Sequence, residues 1–183
     1  QLRQRIIASH HLEALAAGSD VDALAELALA VKPRLAVIAD ETKLDQLRDR
    51  LRGTNIACAA GHAAVEDAAA QPVDRVLGAI VGVAGLGSTL AAVQAGNSVA
   101  LANKESIVCA GQLILSEAAR VGVDILPVDS EHNAIFQALQ SRESVERLTN
   151  TASGGPFRHA SLDDMRAATP AMATAHPVWD KGP

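Results

Sequence analysis

Two carboxylates stand two residues apart in Pro127-Val128-Asp129-Ser130-Glu131-His132-Asn133, at the end of an apolar run from Val123 to Val128. In extended backbone, side chains at that spacing point to one side, so Asp129 and Glu131 would converge on one cation while Ser130 faces elsewhere. Hard oxygen donors of this kind suit Mg or Mn better than zinc. Capping of a following helix accounts for the same two residues equally well. His132 adjoins the pair, where a histidine is more often a hydrogen-bonding surface or packing residue than a functional one.

Four other places stand out where an apolar strand ends, three with polar side chains and one rich in glycine. Asn103-Lys104-Glu105-Ser106 follows the apolar Ser98 to Ala102 and precedes an apolar helix. A lysine there is well placed to meet a phosphate or a carbonyl oxygen. A helix start, with Asn103 as cap and Glu105 favourable to the helix dipole, is the plainer reading. Gly18-Ser19-Asp20 follows the first strand, where the ribose of a nucleotide lies in a dinucleotide fold, although a turn with a capping Asp explains it too. Gly82 to Gly87 would let backbone approach a cofactor, but it does not follow the G-x-G-x-x-G spacing. Thr151-Ala152-Ser153-Gly154-Gly155-Pro156 offers a hydroxyl and exposed backbone amides, as an anion site requires. Near the end, His176-Pro177-Val178-Trp179 holds the sole tryptophan, as a packing anchor or as part of a lid.

The elements that must position these residues are legible as alternating strands and helices. Short apolar runs predict strands at His11 to Ala17, Arg34 to Ala39, Asn55 to Ala59, Val73 to Val81, Ser98 to Ala102 and, buried, Val123 to Val128. Segments of helical period fall between them: from Asp20, Glu41 to Leu51, Ala63 to Ala70, Ser88 to Ala95 and Glu105 to Val121. This order predicts an α/β fold, a Rossmann-like and mainly parallel sheet with helices on both faces. Ligands collect at the carboxyl ends of the strands in such sheets. After residue 130 the pattern changes to a helix from about Ser130, a strand from Val145 to Thr151 and two short helices capped by Ser161 and Thr169, the latter with Pro170 at its first position. A domain boundary is therefore placed there, giving 1–129 and 130–183, the second being the start of an α+β catalytic domain.

Composition narrows the function. The 183 residues are 49% hydrophobic and 20% charged, enough for a sizeable core, and only 2% aromatic, so the core is built from Ala, Val, Leu and Ile. The net charge of -5 and the scarcity of aromatics argue against nucleic acid as a partner. No apolar stretch reaches the roughly 20 residues of a membrane span, and no signal peptide is visible, which points to the cytoplasm. Cys58 and Cys109 sit in apolar stretches and read as reduced core residues.

Four stretches in order closely resemble 1-deoxy-D-xylulose 5-phosphate reductoisomerase: Ala102 to Ser106, Leu126 to Gln137, Thr151 to Arg158 and His176 to Trp179. The resemblance implies a homodimeric enzyme that rearranges the carbon skeleton of a phosphosugar and reduces the resulting aldehyde with NADPH, using Mg, Mn or Co. It implies that Asp129 and Glu131 are metal carboxylates, that Glu131 and Lys104 are catalytic, and that Ser130, Glu131, Ser153, His176 and the flap residue Trp179 contact the substrate. Gly18, Ser19, Asp20, Asn103, Lys104 and Glu105 are implied on the cofactor side. Asp129, Glu131, Ser153 and His176 are accordingly expected in one cleft.

The chain also departs from the family. Ser19-Asp20 stands where relatives more often have a basic residue followed by Asn, and a carboxylate there would repel an adenosine 2'-phosphate. Gln1 in place of Met and the loop-like Lys181-Gly182-Pro183 suggest a chain cut at both ends, lacking the family's G-x-T-G-x-x-G loop and its third metal carboxylate. Two other readings compete: a phosphate-binding nucleotide-fold module without catalysis, and a metal-dependent phosphosugar aldolase or isomerase without nicotinamide. Paired carboxylates argue against the first, and NADPH binding separates the second.

Overall fold

A computed structural model describes residues 11–139, 143, 145–149 and 155–175. In its first part short strands alternate with helices: β1 (Ala14–Ala17), α1 (Val21–Val31), β2 (Leu35–Ile38), α2 (Leu44–Arg50), β3 (Ala57–Ala60) and α3 (His62–Ala69). There follow β4 (Arg75–Gly78), α4 (Leu86–Gln94), β5 (Ser98–Leu101), α5 (Lys104–Val121), β6 (Ile125–Pro127) and α6 (Ser130–Ala138). The strands form two parallel three-stranded sheets, β1-β2-β3 and β4-β5-β6, where the sequence alone predicts one. Ala14 lies opposite Leu35 and Leu35 opposite Ala57 in the first; Val99 lies between Val76 and Ile125 in the second.

The side chains of β2 show how the first sheet is covered. Ala36 and Ile38 pack with Val21, Leu24, Leu47 and Leu51 of α1 and of the end of α2, whereas Val37 between them packs with Val65 and Ala68 of α3. Alternation along one strand thus sends neighbouring residues to opposite faces, each sealed by helices, and all three are fully buried. In the second sheet Val99 and Leu101 of β5 pack with Ala92 and Val93 of α4 and with Ile114 and Ala118 of α5. The core is aliphatic, as the composition requires.

Local signals set the helix ends. Asp20 caps α1 by accepting the Ala23 amide at 3.0 Å, and Lys32 ends it in the left-handed conformation. Gly122 takes that conformation at the end of α5, which bends at Ala110, beside Gly111. Asn97 is buried between elements. Its amide nitrogen donates to the Ala69 and Gln71 carbonyls at 3.0 and 2.8 Å, and its oxygen accepts from the Val73 amide, joining the end of α3 to the entry of β4 and β5.

Several expectations are corrected. The strand expected over Val73 to Val81 pairs at Arg75–Gly78, with β5 as its one partner among the described residues, and glycines begin to turn the chain beyond. The run Val123 to Val128 yields a three-residue strand that is half-buried, because among the described residues β6 pairs with β5 alone. Of the strand expected over Val145 to Thr151, residues 145–149 form no ladder among the described residues and Val145 and Leu148 are exposed, while residues 150–151 lie outside the described residues. Cys109 is exposed on the outer side of α5 near its bend, while Cys58 is half-buried. The two short helices form as expected: α7 (Leu162–Arg166), capped by Ser161, and α8 (Pro170–Thr174), capped by Thr169. By contacts the chain divides into two units that meet at Phe136 and Gln137.

Candidate functional site

At the end of β1, Gly18, Ser19 and Asp20 are exposed, and the Gly18 carbonyl accepts the Asp40 amide at 3.0 Å, linking the ends of β1 and β2. The Asp20 carboxylate is occupied in capping α1. Asp40 accepts the Thr42 hydroxyl at 2.6 Å and the Thr42 amide at 3.0 Å, and these bonds hold its pKa below the usual carboxylate range.

The glycine turn after β4 lies against the start of α5. Gly82 has a φ of 72°, which favours glycine, and Val83–Gly85 form a single 3-10 turn that runs into α4. Asn103 is buried and caps α5, its side-chain oxygen accepting the Ser106 amide at 3.2 Å. Its side-chain nitrogen donates to the carbonyls of Ile80 and, at 2.9 Å, Gly82. Lys104 is exposed and Glu105 half-buried on the first turn, while Ser106 beneath them is fully buried with no partner for its hydroxyl. The positions implied for cofactor contacts after β5 thus include one side chain, Asn103, that is engaged on all sides within the protein.

At the end of β6 the carboxylates sit differently from the extended arrangement expected. Asp129 precedes α6 and caps it, its Oδ1 accepting the His132 amide at 3.1 Å and lying 2.7 Å from His132 Nδ1. Its carbonyl accepts the first helical hydrogen bond, from the Asn133 amide at 2.9 Å. Glu131 therefore lies in the first helical turn, half-buried, with the Ser130 hydroxyl 3.4 Å from one of its oxygens. The capping reading is realised, and strand alternation cannot be what brings the two carboxylates together, since helical residues two apart are about 200° apart around the axis. Asn133 braces the junction by donating to the Pro127 carbonyl at 2.7 Å. From the sequence Asn97 reads only as part of the stop after α4 and Asn103 as a cap and cofactor contact; the bridging bonds of their side-chain amides, and that of Asn133, depend on distant carbonyls that the sequence does not mark.

Ser153, His176 and Trp179 lie outside the described residues. Among the described residues no group of three or more His, Cys, Asp or Glu side chains is gathered to hold a metal ion. The donor chemistry of Asp129 and Glu131 still fits a hard divalent cation: two carboxylates at the start of one helix, at the ligand end of the sheet, the Asp oriented by its capping bond.

A sequence profile of 1-deoxy-D-xylulose 5-phosphate reductoisomerase matches residues 2–111, and one of the C-terminal domain of that enzyme matches residues 125–183. The chain belongs to this family. Its relatives include the reductoisomerases of Bradyrhizobium sp., 51% identical over 175 residues, and Rhodospirillum centenum, 54% identical over 171 residues. These matches cover 94% and 92% of the chain but 43% and 42% of the relatives, so the chain spans less than half their length. Among solved structures, the Zymomonas mobilis reductoisomerase in complex with NADPH superposes with a TM-score of 0.86 at 44% identity, covering 96% of this chain and 47% of that one. A reductoisomerase in complex with NADPH, fosmidomycin and magnesium superposes with a TM-score of 0.80 at 37% identity, covering 99% of this chain and 48% of that one.

Proposed function

We propose that the chain supplies the cofactor side and two metal carboxylates of an enzyme that converts 1-deoxy-D-xylulose 5-phosphate to 2-C-methyl-D-erythritol 4-phosphate with NADPH and a divalent cation. The observation that carries this reading is the neighbourhood of β5 and β6. These paired parallel strands end in Asn103-Lys104-Glu105 and Asp129-Ser130-Glu131, which sets a cation and two carboxylates at one end of one sheet. Reductoisomerases with NADPH or magnesium bound superpose on the chain, which supports the same cofactors here.

Each of the chain's residues then has a physical task. Lys104, exposed at the amino end of α5, meets a phosphate or carbonyl oxygen with a point charge. Glu105 beside it orients the cofactor. Asp129 and Glu131 would hold the cation, which supplies polarisation of the substrate carbonyl when bound. Ser130 offers its hydroxyl to the substrate, and Ser153, His176 and Trp179 are assigned to the phosphate side and the covering flap by the resemblance. Closure of that flap would exclude water and strengthen the electrostatics inside.

Asp20 is engaged as a helix cap, so its charge is partly compensated by backbone amides and is a weaker obstacle to an adenosine 2'-phosphate than the sequence alone implies. Manganese as metal, a homodimer and a cytoplasmic location belong to the same proposal. No helix among the described residues is long and apolar enough to cross a membrane, which accords with it.

The test is a hybrid enzyme in which residues 11–183 replace the matching segment of the Zymomonas mobilis reductoisomerase. NADPH oxidation that requires both 1-deoxy-D-xylulose 5-phosphate and Mg or Mn is the expected result. A folded hybrid that binds the metal and substrate but never oxidises NADPH would favour an aldolase or isomerase without nicotinamide.

A further inference from the structure

Asn103 is 4% exposed and sits between the glycine turn after β4 and the amino end of α5. Its Oδ1 accepts the Ser106 amide and so caps α5, while its Nδ2 donates to the carbonyls of Ile80 and Gly82 across the gap to the neighbouring strand's exit. The backbone repeats the connection, because the Ala102 and Asn103 amides both donate to the Gly78 carbonyl, at 2.9 and 3.1 Å. From the other side the turn presses onto the amide. A Cβ on Gly85 would stand 2.3 Å from Asn103 Nδ2 and 2.6 Å from the Ile80 carbonyl oxygen, closer than atoms tolerate.

The choice of residue follows from donor and acceptor count. Asp, Ser or Thr would cap the helix as well as Asn does. Only an amide adds two N–H donors on the same side chain, and an aspartate would turn a carboxylate oxygen toward two carbonyl oxygens.

We propose that Asn103 is a positioning residue that locks the glycine turn after β4 to the amino end of α5, so that the turn and Lys104-Glu105 meet the cofactor as one preformed surface. The inference rests on the NADPH-binding reading above. A turn released from Asn103 must be ordered when the cofactor binds, and that ordering lowers affinity without touching the reacting atoms.

Asn103→Ser keeps a cap and removes both donors; Gly85→Ala breaks the same contact from the opposite side. In the hybrid enzyme each is expected to raise the KM for NADPH about tenfold, the cost of roughly one to two hydrogen bonds. The KM for the phosphosugar should stay within about twofold and kcat at saturating NADPH within about threefold. The double variant should be no worse than the worse single one, because both break one contact. In the 183-residue chain, Asn103→Ser should speed amide exchange at 80–87 and in the first turn of α5 while leaving α1 unchanged.

Normal NADPH KM in both variants, effects that multiply in the double variant, or exchange accelerated throughout the chain would each overturn the proposal. Variants that do not fold would make Asn103 a residue of stability and overturn it as well. An unsubstituted hybrid without NADPH oxidation instead defeats the function on which the inference depends, and the exchange experiment still reports whether the lock exists.

Discussion

The Asp129 carboxylate caps α6, and the proposed function gives it a second task, so substitution can separate the two. Its Oδ1 caps α6 and meets His132, a task that an asparagine oxygen performs nearly as well. Holding a divalent cation needs the charge. In the hybrid enzyme Asp129→Asn is therefore expected to cut turnover about a thousandfold or more while moving the melting temperature by about 2 °C or less. Asp129→Ala should lose the same activity and, in addition, about 1 kcal/mol of stability with the cap. Full activity in Asp129→Asn would remove the metal role. At the cysteines, burial pushes the Cys58 thiol pKa up, whereas Cys109 lies exposed on α5. A disulfide reagent at pH 7.5 should accordingly label Cys109 well before Cys58, read by mass spectrometry after partial reaction; equal rates would mean that the first sheet opens freely. The type of Asp129 and Glu131 was readable in the sequence, but their geometry was not. Alternation holds only while backbone stays extended, and the capping capacity of Asp129 itself ends the strand one residue too early for it.

At the level of elements, the ends were more legible than the middles because ends are set by local chemistry. Asp20, Ser161, Thr169 and Pro170 act through groups two or three residues away, so their roles follow from sequence alone. Strand lengths depend on partners elsewhere in the chain: among the described residues β4 and β6 each pair on one side, with β5, and both are shorter than their apolar runs. Two outcomes test this local chemistry. Lys32 ends α1 with a φ of 51°, a conformation that costs a side chain energy, so Lys32→Gly is expected to gain about 0.5–1 kcal/mol, measured as a higher denaturant midpoint with unchanged slope. The capping box of α7 has the Asp164 carboxylate accepting the Ser161 hydroxyl and amide at 2.7 and 3.1 Å, and these bonds lower its pKa. A carboxylate lowered on folding favours the folded helix above its unfolded pKa, and that contribution disappears as pH falls through the lowered value. Helical protection at Asp164 and Met165 should thus be constant at neutral pH and decline below about pH 4, a decline that Asp164→Asn abolishes by being low throughout.

The two units of the chain differ in what holds them. The first carries the aliphatic clusters of both sheets together with Lys104, Asp129 and Glu131. None of the described residues from Gln137 onward is buried, and α7 and α8 are five residues each, far below the length at which a helix stands without tertiary support. Caps alone contribute on the order of 1 kcal/mol apiece, too little to order such helices firmly. Amide exchange of the 183-residue chain should show α1, β2 and the second half of α5 strongly protected, and residues 155–175 far more weakly, with what protection they have confined to the capped turns. The resemblance assigns Ser153, His176 and Trp179, which fall in the second unit by sequence, to the substrate, and the chain spans less than half the length of its relatives. Placement errors of about 1 Å are enough to cost roughly a hundredfold in rate. The 183-residue chain on its own is therefore expected to show no NADPH oxidation with 1-deoxy-D-xylulose 5-phosphate and Mn, under conditions where the hybrid turns over. Measurable turnover by the chain alone would show that residues 1–183 hold a complete site, and the phosphate and flap roles given to Ser153, His176 and Trp179 would then be tested directly by alanine substitution in that chain.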